Sequence, residues 1–152
     1  MKAYAINIRA ALTNDLDLLA ELFDAYRVFY KKNTDVEAAK EFLKERLSRH
    51  ESEIFVAEDE ASQLVGFVQL YPLFSSTRMK RIWLLNDLFV SPDYRGKNIS
   101  IQLIDKAKEL ARETNACGLM LETAKTNMVG NNLYPRAGFE LDHDHNFYAW
   151  DI

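Results

Sequence analysis

The chain is 152 residues long, with 48% hydrophobic and 28% charged residues, the profile of one soluble globular domain. Nineteen Lys and Arg against twenty-three Asp and Glu leave a net charge of −4, which disfavours a nucleic-acid partner. One cysteine excludes an internal disulfide framework and fits a reducing compartment.

No apolar run approaches the ~20 residues that span a bilayer. The opening Met1-Lys2-Ala3-Tyr4-Ala5 lacks a signal-peptide core. The expectation is a single domain over residues 1–152, cytoplasmic, with neither membrane nor nucleic acid as partner.

Along the chain, Tyr4 to Arg9 alternates with Ile6 and Ile8 on one face and predicts a first strand. Thr13-Asn14-Asp15 signals a helix start, and Leu16, Leu19, Leu22, Phe23 and Tyr26 recur at helical spacing to about Tyr30. Asp35 can cap a second helix whose apolar face is Val36, Ala39, Phe42, Leu43 and Leu47. Glu53 to Glu58 and Gln63 to Phe74, joined by the turn Asp59-Glu60-Ala61-Ser62, predict an antiparallel hairpin. A polar loop then leads to a strand over Ile82 to Val90.

Asn98 to Thr114 predicts the central helix, burying Ile101, Leu103, Ile104, Ala107, Leu110 and Ala111. Leu119-Met120-Leu121 reads as a short strand buried on both faces. A short helix is expected within Asn127 to Ala137, followed by two strands flanking the polar tip Asp142 to Asn146. Pro135 fits that helix if it starts near Asn131, placing the proline around the first turn. The order β-α-α-β-β-β-α-β-α-β-β predicts an α/β (α+β) fold: a mixed central sheet flanked by helices on both faces. The helix between the Leu84–Val90 and Leu119–Leu121 strands makes those two parallel neighbours.

Two stretches carry chemistry. Leu84 to Leu103 reads as a strand, a turn with Arg95, Gly96 and Lys97, and a helix start. Exposed amides at a helix start, beside basic residues, suit a phosphate or pyrophosphate. The second stretch is Asn127-Met128-Val129-Gly130-Asn131-Asn132-Leu133-Tyr134-Pro135-Arg136-Ala137-Gly138-Phe139.

Arg95-Gly96-Lys97-Asn98-Ile99-Ser100, after a strand ending Asp-Leu-Phe-Val, resembles the acetyl-CoA signature of the GNAT superfamily of N-acetyltransferases. The Asn…Gly…Leu-Tyr…Gly-Phe block resembles that superfamily's second block, and Ile8-Arg9-Ala10-Ala11 followed by Asp15 resembles its usual start. Within the superfamily, Leu85 to Val90 and Ser91 to Gly96 are most like small-amine enzymes of the diamine acetyltransferase type.

The resemblance implies an N-acetyltransferase that moves the acetyl group of acetyl-CoA to a primary amine of a small molecule, by direct attack in a ternary complex. It assigns coenzyme A binding to Arg95, Gly96, Lys97, Asn98, Ile99, Ser100 and Ile101, with Asn127, Gly130 and Arg136 helping. The pantetheine arm would add to the backbone of Leu88, Phe89 and Val90 like an extra strand. Tyr134 is the expected general acid, protonating the departing thiolate. Tyr26, Phe29 and Tyr30 would border the acceptor pocket.

The general base is the open position. The related diamine enzymes have a glutamate where Asn86 stands, and an asparagine can orient a water but cannot take a proton. Asp87 and Glu122 are the nominees behind a water relay, although strand alternation points Asp87 to the face opposite Asn86. Asn98 and Ser100 replace residues that are usually Gly and Gly or Ala; a left-handed backbone at 98 is one that Asn tolerates well. Cys117 reads as a small buried hydrophobe, and His143 and His145 lack further ligands at metal spacing, so no metal site is expected. The alternatives are a protein or peptide N-acetyltransferase and a CoA-binding regulator of the same fold without catalysis. A homodimer follows by analogy with related enzymes.

Overall fold

The computed structural model describes residues 5–152. The chain forms two compact units, the first ending at Leu121 and the second running from Glu122 to Ile152.

In the first unit the elements follow as β1 (Asn7–Ala10), α1 (Leu16–Phe29), α2 (Val36–Ser48), β2 (Glu53–Glu58), β3 (Leu64–Ser75), β4 (Lys80–Val90), α3 (Ile99–Glu113) and β5 (Leu119–Met120). They build one mixed sheet in the order β1-β2-β3-β4-β5. The first three pairings are antiparallel, and β5 runs parallel to β4 through Trp83↔Leu119 and Leu84↔Met120. The expected strand Tyr4–Arg9 is observed as Asn7–Ala10, with Tyr4 outside the described residues.

Alternation along the central strands covers both faces of the sheet. Ile54, Val56, Phe67 and Phe89 pack with Leu19, Ala20, Leu22 and Phe23 of α1 and with Ala39 and Leu43 of α2. Gly66 faces the other way, towards α3, where an added Cβ would lie 3.3 Å from Leu103 and 3.0 Å from the Phe89 carbonyl. Asp35 caps α2 by accepting from the Ala38 amide at 3.0 Å. Arg9 joins β1 to the start of α1, donating to Asp15 at 2.7 and 2.8 Å and to Glu58 at 2.9 Å. Its guanidinium holds the Asp15 carboxyl below the usual range. That contribution to stability is present at neutral pH and is lost as pH falls through the native value of Asp15.

Several expectations change. Val36 and Phe42 of α2 are exposed rather than buried, since Ala39 and Leu43 are the α2 residues fully enclosed in the core; Phe42 lays its ring on Phe23 of α1 at 5.8 Å from the rim. Leu119–Met120 is half-buried, since a two-residue strand at the sheet edge has a neighbour on one side only. Cys117 is likewise half-buried.

The second unit holds α4 (Met128–Arg136). The helix begins three residues earlier than expected because Asn127 caps it, so Pro135 falls in the last turn. There its missing N–H leaves a single carbonyl unpaired just as the helix ends. The two final strands are not formed among the described residues. Instead Asp142 accepts the amides of Asp144 and His145 at 2.8 and 3.1 Å, and Leu141, Phe147, Tyr148 and Trp150 are exposed. Alternating sequence makes a strand only where a neighbouring strand shares its ladder.

Candidate active site

The register of β3 and β4 slips beside the site. Gln69 lies opposite Asp87 and Leu70 opposite Leu85, leaving Asn86 as the extra residue of a β-bulge. The bulge puts Asn86 and Asp87 on the same side, with Asn86 Nδ2 donating to Asp87 Oδ1 at 3.1 Å. The expectation of opposite faces is therefore corrected, because the extra residue resets the alternation. Trp83, on the α3 side of the bulge, reaches Thr114 at the end of α3 at 2.8 Å, whereas Phe89 packs with α1 and α2.

Asp87 is 4% exposed and Gln69 is fully buried. Gln69 Nε2 donates to Asp87 Oδ2 at 2.7 Å, and the Ser52 hydroxyl donates to Gln69 Oε1 at 2.9 Å. Tyr26, from the last turns of α1, also hydrogen-bonds the carboxylate. Burial pushes the Asp87 carboxyl above its ordinary range, while the bonds from Gln69, Tyr26 and Asn86 pull it back down. Because folding raises this value, the associated stabilisation is full at low pH and is lost as pH rises through the native value. Burial and the Asp87 charge push Tyr71 up to about 12, and the same causes raise Tyr30.

The acceptor-side aromatics stand together. Tyr26 is half-buried against Phe67 and Phe89 at 5.8 and 6.1 Å, and against Tyr30 at 5.0 Å. Phe29 and Tyr30 are 55% and 45% exposed, which removes Phe29 from the core and leaves both available to a ligand. Ser52, Gln69 and Tyr71 were missed in the sequence. The available signal was a lone glutamine inside the apolar run Leu64 to Phe74.

Beyond Leu84 the edge of β4 that faces β5 carries no paired strand among the described residues, since the β5 register stops at Met120. The Ser91 amide donates to Val65, so by alternation the backbone groups of Phe89 face β3 and those of Leu88 and Val90 face the open edge. The turn that follows is braced from outside: Tyr94 donates to Asp59 at 2.7 Å. Arg95 turns inward, donating from Nε to the Val90 carbonyl at 3.0 Å with its guanidinium over the rings of Phe29 and Phe89, each at 5.5 Å. Lys97 lies over Tyr94 and donates to the Asp93 carbonyl at 3.3 Å.

Gly96 and Asn98 both have positive φ, at 76° and 59°. Asn98 precedes α3 in the left-handed conformation and makes no side-chain cap. The first intrahelical bond comes only at Gln102, which donates to the Asn98 carbonyl at 3.1 Å. The amides of Ile99, Ser100 and Ile101 therefore open the helix without a capping side chain, and an anion such as a pyrophosphate fits them.

In the second unit, Asn127 accepts from the Gly130 amide at 3.1 Å and donates to Thr123 at 2.9 Å. Both polar side-chain atoms are engaged in starting α4, and a Cβ at Gly130 would come within 2.7 Å of Asn127. Asn127 and Gly130 thus support one another rather than presenting groups outward. Tyr134 packs edge-on to Phe139 at 5.8 Å. Phe139 donates to the Tyr134 carbonyl and Gly138 to that of Pro135, a Schellman end with Gly138 at φ 91°. Glu122 and Arg136 are exposed.

The profile of the Acetyltransferase (GNAT) family matches residues 18–139, running through both units. The chain belongs to that family. A Bacillus subtilis (strain 168) relative, the uncharacterized N-acetyltransferase YhfO, is 44% identical over 147 residues, covering 97% of this chain and 98% of the relative. A crystal structure of a probable acetyltransferase superposes with a TM-score of 0.91 at 41% identity, covering 96% of this chain and 97% of that one. A thialysine N-epsilon-acetyltransferase from Sus scrofa is 30% identical over 81 residues, covering 53% of this chain and 47% of the relative. As a GNAT acetyltransferase the protein is an acyltransferase of a family that uses acetyl-CoA. Its α/β mixed sheet is the GNAT fold. No helix among the described residues is long and apolar enough to cross a membrane.

Proposed function

We propose that this acetyltransferase acetylates a primary amine of a small cationic molecule, with Asp87 as the final proton acceptor. The observation that carries this reading is the buried Asp87 carboxylate at the β4 bulge, with exposed Asn86 beside it and Tyr26, Tyr30 and Tyr71 around it. A carboxylate among tyrosine rings suits an ammonium group before reaction and its proton afterwards. The name of the Sus scrofa relative, an enzyme of an amino-acid side-chain amine, agrees in chemistry.

Acetyl-CoA, when bound, supplies the thioester carbonyl that the amine attacks. The amides of residues 99–101 hold the pyrophosphate, Gly96 and Asn98 shape the turn, and Leu88 and Val90 pair with the pantetheine arm. Arg95 braces this edge through the Val90 carbonyl. Asn86 orients the amine or a water, and Asp87 receives the amine's proton directly or through that water. Tyr134, by its place in the Asn127–Phe139 block, returns a proton to the leaving thiolate. Glu122 is set aside as base because Asp87 alone of the two has a buried, hydrogen-bonded environment. The whole chain then works as one catalytic domain in the cytoplasm, with a homodimer open to test by sedimentation.

Free-thiol release from acetyl-CoA across diamines, basic amino acids and peptides tests the acceptor class. Turnover confined to peptides would favour a protein acetyltransferase, and acetyl-CoA binding with no turnover would favour a regulator. Asp87→Asn is expected to lower kcat by about 100-fold or more, the usual share of a general base, while acetyl-CoA affinity holds. Tyr134→Phe is expected to lower kcat with cofactor affinity nearly unchanged.

A further inference from the structure

Ser52, Gln69 and Asp87 form a chain of three buried polar side chains, at 7%, 0% and 4% exposure, linked at 2.9 and 2.7 Å. Ser52 and Gln69 lie too deep to touch a substrate, yet a buried amide must be satisfied at both ends. Two hydrogen-bonding patterns satisfy it in opposite orientations. In one, Ser52 donates to Oε1, and Nε2 donates to an ionised Asp87. In the other, the amide is turned over: Nε2 donates to the Ser52 oxygen, and Oε1 accepts a proton-bearing oxygen of Asp87. Two unprotonated oxygens 2.7 Å apart would repel, so the turned-over amide requires a proton on that oxygen of Asp87, whereas the first pattern favours the ionised form.

We propose that Gln69, oriented by Ser52, is the positioning residue that presents Asp87 to the reaction as an acceptor. This inference rests on Asp87 being the base. The observed pattern is the first of the two, and the donors Asn86 Nδ2 and Tyr26 reinforce it from β4 and α1. The Asp87 charge in turn raises Tyr30 of α1 and Tyr71 of β3, and Arg46 of α2 acts on Tyr71 in the opposite sense. None of these supplies the second carboxylate oxygen with a buried amide donor as Gln69 does. When Asp87 takes the proton, the amide can turn over and hold it, so the relay offers a stable home to both states of the base.

The test is the titration of Asp87, followed by carbon-13 NMR of its carboxyl in the full chain, beside the pH profile of kcat/KM for the best amine of the panel. Gln69→Leu removes the donor and should raise both the Asp87 titration and the acid limb by about one to two pH units, the scale of a hydrogen bond to a charged group. Ser52→Ala should move them the same way by less, and Ser52→Thr, which keeps the hydroxyl, should restore the wild-type values. At pH well above the raised limb, kcat of Gln69→Leu should return towards wild type, which a merely structural defect would not do.

Titration and acid limb unmoved in both Gln69→Leu and Ser52→Ala would overturn the relay. If Gln69→Leu does not fold, the Ser52→Ala and Ser52→Thr pair decides the matter alone. Full activity in Asp87→Asn would instead overturn the base assignment, and the NMR titration, which needs no turnover, keeps the two failures apart.

Discussion

Asn98 precedes α3 and Asn127 precedes α4, yet only Asn127 closes its helix with its own side chain. Asn127 lies on the ordinary side of φ at −78°, which aims Oδ1 at the Gly130 amide. Asn98 is left-handed at φ 59°, following Gly96 at 76°, and that backbone leaves the first amides of α3 uncapped. The same residue type thus stabilises one helix and opens another. A helix start left open in a folded protein is one whose amides another acceptor can take, and this one carries no acidic residue in its first turn to compete.

Breaking the left-handed backbone has the largest expected effect. Asn98→Val puts a β-branched residue at positive φ, costing roughly 1–2 kcal/mol of strain and turning the amides away. The affinity for coenzyme A should then fall about tenfold or more, read by calorimetric titration. Next comes Asn127→Ala, which removes a cap and should lower unfolding free energy by about 1 kcal/mol in chemical denaturation. Its effect on coenzyme A affinity should be the smaller of the two.

The sharpest comparison uses one substitution at both places. Asn127→Asp keeps the accepting oxygen and adds a charge favourable to a helix start, so stability should hold or rise by about 0.3–1 kcal/mol. Asn98→Asp adds the same charge where an anion is to bind, and coenzyme A affinity should fall severalfold, more at low salt than at high. Equal responses at 98 and 127 would show that the two starts are used alike.

Much of the frame was legible in order and spacing. The strand Glu53–Glu58 appears at the residues expected, and the helix over 98–114 is observed as Ile99–Glu113. Apolar residues spaced for a helix or a strand mark the face to be buried wherever a neighbouring element covers it. The turn over 95–100 was legible because Gly96 and Asn98, two positions apart, mark positive φ. The base was not. Trp83, Leu85, Asp87 and Phe89 alternate as if on one face, and only the slip against β3 at Asn86 divides them between two.

By itself, then, the sequence determined the order of elements as far as α4, the start of α3 and the family, since these follow from local periodicity, backbone preference and motif spacing. Tertiary structure alone decided that Asn127 closes its helix while Asn98 leaves its own open, and that Asp87 joins Gln69 and Ser52. Neither the register of two strands nor the donor that reaches a buried oxygen is written in any local pattern, because each depends on residues distant in the chain, here 18 positions from Gln69 to Asp87.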